Sequence, residues 1–139
     1  MKIYEELVKK AIEASKNSYS PFSNFKVGAA LLTKSNKIYL GCNIENSSYP
    51  LTNCAERTAF FKAVSEGETE FEAIAIVGSG NDKFEEFCTP CGACRQVINE
   101  FCESNFKIVL GRVDEENKIE TKIYTLGELL PKAFRLNKP

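Results

Sequence analysis

Histidine is missing from this chain altogether. A metal site must then take its ligands from thiolates and carboxylates. No apolar run approaches the ~20 residues that span a bilayer, and the opening Met1-Lys2-Ile3-Tyr4-Glu5-Glu6 carries acids and no signal-peptide core. No membrane partner is expected from this, and a cytoplasmic location is. Basic charge is not gathered anywhere: 18 Lys and Arg, scattered along the chain, stand against 19 Asp and Glu. A nucleic-acid surface needs a basic stripe, so the expected partner is a small, nearly neutral molecule. Internal repeats, low-complexity stretches and linkers are also lacking. The 139 residues, 43% hydrophobic and 27% charged, read as one domain over 1–139, long enough to bury a core.

What the chain does have is six cysteines. In a reducing cytosol they bind metal or act chemically more often than they pair. Their placement depends on the elements around them. Ile3, Leu7, Val8, Ala11 and Ile12 recur at helical spacing, which predicts a helix from about Tyr4 to Lys16. A polar loop runs from Asn17 to Asn24. Phe25 to Thr33 and Lys37 to Cys42 flank the turn Ser35-Asn36 as a hairpin. Asn43 to Asn53 is irregular, and Cys54 to about Ser65 is a helix stopped at Gly67. Phe71 to Val77 is a buried strand, Gly78 to Cys88 a loop with no assigned role, and Cys91 to about Glu103 a helix. Lys107 to Leu110 and Lys118 to Tyr124 are two further strands, followed by a short helix from Thr125 to about Leu130 and a tail. The expected fold is α/β: a single three-layer domain whose mixed five-stranded sheet is covered by helices.

Both cysteine motifs fall where a loop enters a helix. Cys54-Ala55-Glu56-Arg57 opens one helix, and Pro90-Cys91-Gly92-Ala93-Cys94 opens another. Spacing i, i+3 turns Cys91 and Cys94 to one side. Helix N-termini favour the thiolates that a metal requires. A catalytic zinc keeps three protein ligands and leaves the fourth position to water, so Cys54, Cys91 and Cys94 read as such a set, one zinc per chain. A dication with three thiolates is left with a net negative charge. Two helix N-termini, roughly half a charge each, and Arg57, three residues from Cys54, would offset it. Arg57 is expected to donate to sulfur and not to touch substrate. Glu56 is the natural proton carrier for a zinc-activated water. Two other readings stay open. Cys91 and Cys94 alone would suit a thioredoxin-like redox pair. Cys88, three residues before Cys91, would close a structural four-cysteine zinc. Cys42 and Cys102 read as small core residues.

These residues resemble the zinc-dependent nucleoside deaminases, and more narrowly the short, homotetrameric cytidine deaminases. The resemblance runs from about Tyr19 to Phe134. Its segments are Pro21-Phe22-Ser23-Asn24-Phe25, Val27-Gly28-Ala29-Ala30-Leu31-Leu32, Gly41-Cys42-Asn43-Ile44-Glu45-Asn46, Cys54-Ala55-Glu56-Arg57-Thr58-Ala59 and Pro90-Cys91-Gly92-Ala93-Cys94-Arg95-Gln96. It implies that Cys54, Cys91 and Cys94 hold zinc, which leaves Cys88 outside, and that Glu56 is the catalytic acid and base. It implies that Asn43 and Glu45 hold the ribose hydroxyls, Phe25 lies beside the pyrimidine and the backbone at Ala55 meets the ring edge. Tyr49 and Phe134 match positions that complete a neighbouring subunit's pocket in a homotetramer. The implied activity is hydrolytic deamination of cytidine and deoxycytidine, a step of pyrimidine salvage. A related aminopyrimidine nucleoside, such as a nucleoside antibiotic, is the alternative substrate. Superfamily members with one histidine and two cysteines would need His at position 54. Asn43 and Glu45 stand two apart at a strand end, and the strand is expected to break its alternation before both enter one cleft.

Overall fold

The structure is a computed structural model describing residues 2–136. Its first helix, α1 (Lys2–Ser15), buries Leu7, Val8, Ala11 and Ala14 on one stripe. The chain then forms β1 (Lys26–Thr33), β2 (Ile38–Cys42), α2 (Ala55–Ser65), β3 (Phe71–Ser79), α3 (Gly92–Phe101), β4 (Lys107–Val113), β5 (Ile119–Thr125) and α4 (Leu126–Leu129). One 3₁₀ turn, Tyr49–Leu51, lies in the stretch expected to be irregular.

The five strands make one sheet in the order β2-β1-β3-β4-β5. Only β3 and β4 pair in parallel; the other neighbours are antiparallel. The central strands are buried on both faces. In β1, Ala29 and Leu31 join the core beneath α2 and α3, while Ala30 and Leu32 join the core beneath α1. Ile74, Ile76 and Ile108 continue the first core, and Ala73, Ala75 and Val109 the second. Such strands read as unbroken apolar runs in sequence. The result is the expected three layers, with α1 on one face and α2, α3 and α4 on the other.

Two glycines set how closely the helices approach. A Cβ on Gly28 would lie 1.9 Å from the Ala11 carbonyl oxygen of α1, and one on Gly41 would lie 2.3 Å from the Ala55 carbonyl oxygen of α2. Neither backbone leaves room for a side chain.

Two strands run further than the sequence expectation, and one loop is less exposed than its polarity suggests. Gly78 and Ser79 finish β3 instead of opening a loop, because they pair with Val27 and Lys26. Gly111 to Val113 extend β4, because β5 supplies partners Thr121, Glu120 and Ile119 in register. The loop after Ser79 turns inward: Phe84 is buried against the α1-side core, and its carbonyl accepts from Val113 N–H. That Phe holds a φ of +52°, a strained conformation for a bulky residue, costing about 1–3 kcal/mol and offset by burial.

Strand directions place the cysteine motifs together. Both β2 and β3 run antiparallel to β1, hence parallel to each other. Their C-terminal ends lie at one side of the sheet, where β2 leads to α2 and β3 leads to α3. That edge is the usual location of sites in open α/β sheets.

Candidate metal centre

Cys54 and Cys91 occupy the N-cap positions of α2 and α3, and neither side chain makes a capping hydrogen bond. N-caps favour Ser, Thr, Asp and Asn, whose oxygens accept from free helical N–H groups. Cysteine is a poor substitute in that role, so both thiols are free to turn elsewhere. They turn toward Cys94, buried in the first turn of α3, and the three Sγ atoms lie within 4.8 Å of one another. Cys54 and Cys91 Sγ are 4.0 Å apart. Zinc–sulfur bonds of ~2.3 Å in a tetrahedron set sulfurs roughly 3.8 Å apart. Donor type, number and spacing therefore fit one zinc per chain. Cys88 is not in the group, so among the described residues no closed four-sulfur site is assembled; nor do Cys91 and Cys94 stand as an isolated redox pair.

Charge around the sulfurs is arranged for anions. Cys54 is held down to about 5, first by the hydrogen bond from Cys94 and then by Arg57. Arg57 Nη2 donates to Cys54 Sγ at 3.1 Å, the contact expected from their spacing. Its Nε is buried without a hydrogen-bond partner, a cost accepted to bring the guanidinium against sulfur. The hydrogen bond to Cys54 holds the Arg57 proton more tightly than usual. Cys94 is pushed up, first by its hydrogen bond to the Cys54 thiolate and then by burial. Burial, with the charges of Glu56 and Cys54, raises Cys88 to about 11, a thiol outside the working set.

Glu56 is 4% exposed, beside the sulfurs on the first turn of α2. Burial raises its carboxyl to about 7, against a smaller opposing hydrogen bond from its own backbone N–H. A carboxyl poised there can both take and give a proton near neutrality.

Asn43 and Glu45 are found on one side of an extended segment, with exposed Ile44 between them. The expected break in alternation is not needed: residues two apart on an extended chain face the same way. Ile44 bridges to Tyr19 and Asn53, which keeps the segment extended past the end of β2. Asn43 Oδ1 accepts from Val27 N–H at 2.9 Å and from Ser18 Oγ, and its Nδ2 donates to the Phe25 carbonyl at 2.8 Å. Glu45 accepts from the N–H groups of Phe22 and Ser23 at 2.9 and 3.2 Å and from Ser23 Oγ. Both residues thus pin the loop that presents Phe25. One amide hydrogen of Asn43 and a lone pair of Glu45 remain to meet a hydroxyl. The Ser23 hydroxyl, followed by the Phe22 and Ser23 N–H groups, holds the Glu45 carboxyl below its usual value.

Phe25 lines a cleft of about 630 Å³ with Gly78, Gly80, Phe87, Cys88 and Thr89. Ala55 is buried under the site. Tyr49 and Phe134 are 72% and 70% exposed. Cys102 is a core residue as expected, but Cys42 is only half-buried. A larger depression, about 1110 Å³, lies between α1, the 82–85 loop and the β4–β5 turn. Neither the sulfurs nor Glu56 line it; size alone does not mark the chemistry. Missed in sequence were Ser18 and Ser23, whose hydroxyls orient Asn43 and Glu45; only their place in a polar loop hinted at them.

Comparison with known proteins agrees with this geometry. Residues 1–110 match the model of the cytidine and deoxycytidylate deaminase zinc-binding region. The chain is 48% identical over 130 residues to a cytidine deaminase of Sporosarcina psychrophila, covering 94% of this chain and 90% of that one. It is 48% identical over 128 residues to a cytidine deaminase of Halalkalibacterium halodurans, with 92% and 91% covered. Among solved structures, the cytidine deaminase of Burkholderia pseudomallei superposes with a TM-score of 0.81 at 44% identity, over 94% of this chain and 98% of that one. By its three clustered thiols, its sheet and these relatives, the chain belongs to the cytidine and deoxycytidylate deaminase family.

Proposed function

We propose that the chain hydrolyses cytidine and deoxycytidine to uridine and deoxyuridine with release of ammonia, a reaction of pyrimidine salvage in the cytoplasm. The observation that carries the reading is a buried carboxyl, Glu56, beside three convergent thiols at two helix N-termini. Cys54, Cys91 and Cys94 would hold one zinc. Bound there, the metal supplies a Lewis acid that lowers the pKa of a water in its open position.

The remaining work falls to the chain's own groups. Glu56 takes one proton of the attacking water and delivers it to N3 of the pyrimidine. It then takes the proton of the hydroxyl now on C4, as the C4–N bond breaks and the carbonyl forms, and passes it to the departing amine, which leaves as ammonia. Arg57 limits the negative charge that the thiolates carry. Phe25 lies against the base, the backbone at Ala55 meets the ring edge, and Asn43 and Glu45 meet the ribose hydroxyls. Tyr49 and Phe134, exposed in one chain, reach the sites of neighbouring copies in a homotetramer. All 139 residues form a single catalytic domain that takes a free nucleoside and needs neither nucleic acid nor membrane. No helix among the described residues is long and apolar enough to cross a membrane.

The test is to add cytidine to purified protein and follow ultraviolet absorbance together with ammonia. Equal amounts of uridine and ammonia are expected, abolished by a chelator and restored by zinc. Faster turnover of another aminopyrimidine nucleoside would reassign the substrate; no release from any would refute the activity.

A further inference from the structure

Of the three thiols, Cys91 has the least support from its own surroundings. Cys94 is fully buried in α3, and Cys54 is held at its sulfur by Arg57. Cys91 is exposed, caps nothing, and is followed by Gly92 and Ala93, also exposed. A Cβ on Gly92 would meet nothing within 4 Å.

Its backbone is nevertheless fixed, and one residue does it. Arg95 N–H donates to the Cys91 carbonyl at 3.0 Å, the first bond of the helix. Arg95 Nε donates to the Pro90 carbonyl at 2.8 Å. These two carbonyls belong to the two peptide planes that flank the Cys91 Cα. With both planes anchored, φ and ψ of Cys91 are set, at −69° and 167°, and so is the direction of its Cβ. The guanidinium is fixed in turn from its far side, where Nη1 donates to the Leu129 carbonyl in α4 at 2.8 Å. Leu129 packs against the core beneath α2 and α3.

We propose that Arg95 is a positioning residue that holds Cys91 in place for the metal and ties that hold to the docked α4. The inference rests on the reading that Cys91 is a metal ligand. It does not require Arg95 to touch metal or substrate. A guanidinium suits the task because its planar fork reaches two carbonyls at once, which a lysine ammonium at one point does not.

The test compares Arg95→Ala, Arg95→Lys, Arg135→Ala and Cys91→Ser. Arg135 also binds α3, donating to the Asn99 and Glu100 carbonyls and to Glu103, but far from Cys91. It controls for general loosening of the C-terminal segment. Two quantities are read: zinc affinity by competition with a chromogenic chelator, and the sulfur-to-metal charge-transfer band of the cobalt-loaded protein. Arg95→Ala should lose about ten- to a hundredfold in zinc affinity, the usual effect of removing a group that orients a ligand. Its cobalt band should fall toward that of Cys91→Ser. Arg95→Lys should lie between, and serves alone if the alanine variant does not fold. Arg135→Ala should match the unmodified protein in both. Normal affinity and spectrum in the Arg95 variants, or an equal loss in Arg135→Ala, would overturn the inference. Failure of the ligand reading itself would look different: Cys91→Ser would keep its zinc.

Discussion

Glu56 is buried where a carboxylate is costly, and that cost is its use. Removal from water raises its carboxyl to about 7, where proton uptake and release are both accessible. Glu56→Gln keeps shape and hydrogen-bonding but carries no exchangeable acid proton. It should retain one zinc per chain and lose about 10²–10⁴ in turnover, read by metal analysis beside a steady-state assay. Glu45 makes the opposite case. Its hydrogen bonds from Ser23 and Phe22 lower the folded-state value below 4.5. Its contribution to stability is therefore fully present above the unfolded-state value and is lost as pH falls through the folded one. Urea midpoints of the metal-free protein should favour the unmodified chain over Glu45→Gln at pH 7, with the gap closing below pH ~4. A gap that persists at lower pH contradicts this. At this scale the sulfurs and Glu56 were legible, because two short covalent spacings put them at helix starts. The duties of Asn43 and Glu45 toward Val27, Phe25 and Phe22 were not. They depend on where the 18–25 loop returns to the sheet, which no local pattern encodes.

The metal centre depends on how α2 and α3 sit on the sheet. Gly41 lets α2 down onto β2, and Gly28 lets α1 down onto β1 from the opposite face. Gly41→Ala and Gly28→Ala should each destabilise by about 1–3 kcal/mol in urea unfolding, since the obstacle is backbone in both cases. Only Gly41→Ala should also weaken zinc, because displaced α2 carries Cys54. Equal zinc loss in both variants would mean that the site senses global stability and not the seat of α2. Helix periodicity and the apolar run at 71–77 made α1 and β3 readable in the sequence. Strand order was not readable: β4 extends through Gly111 and Arg112 only because Glu120 and Thr121 lie opposite, with Arg112 Nε 2.8 Å from Glu120 Oε2. The loop after Ser79, to which the sequence assigned no role, buries Phe84 and sets the Asp82 carboxylate 3.4 Å from the Lys26 ammonium.

The single chain leaves large apolar side chains in water, among them Phe22, Tyr49, Phe134 and Leu136. The tail that carries Phe134 is fastened to α3, its carbonyl accepting from Gln96 and Asn99 at 3.1 Å each, so the exposed ring is presented on a fixed backbone. Light scattering should give four times the 15.5 kDa chain mass. Phe134→Ala should raise KM for cytidine severalfold with the assembly intact, a loss of about 1 kcal/mol or more of contact. A fully active monomer would contradict shared pockets. The three-layer arrangement was legible from element order, whereas the proposed completion of a site by a second chain rests on resemblance, since hydrophobic periodicity carries no mark of it. All these expectations rest on three thiolates around a zinc that keeps one position open. Zinc-edge X-ray absorption of the purified protein addresses that most directly. The predicted result is three sulfurs at ~2.3 Å and one oxygen or nitrogen at ~2.0–2.2 Å; four sulfurs around the metal would contradict it.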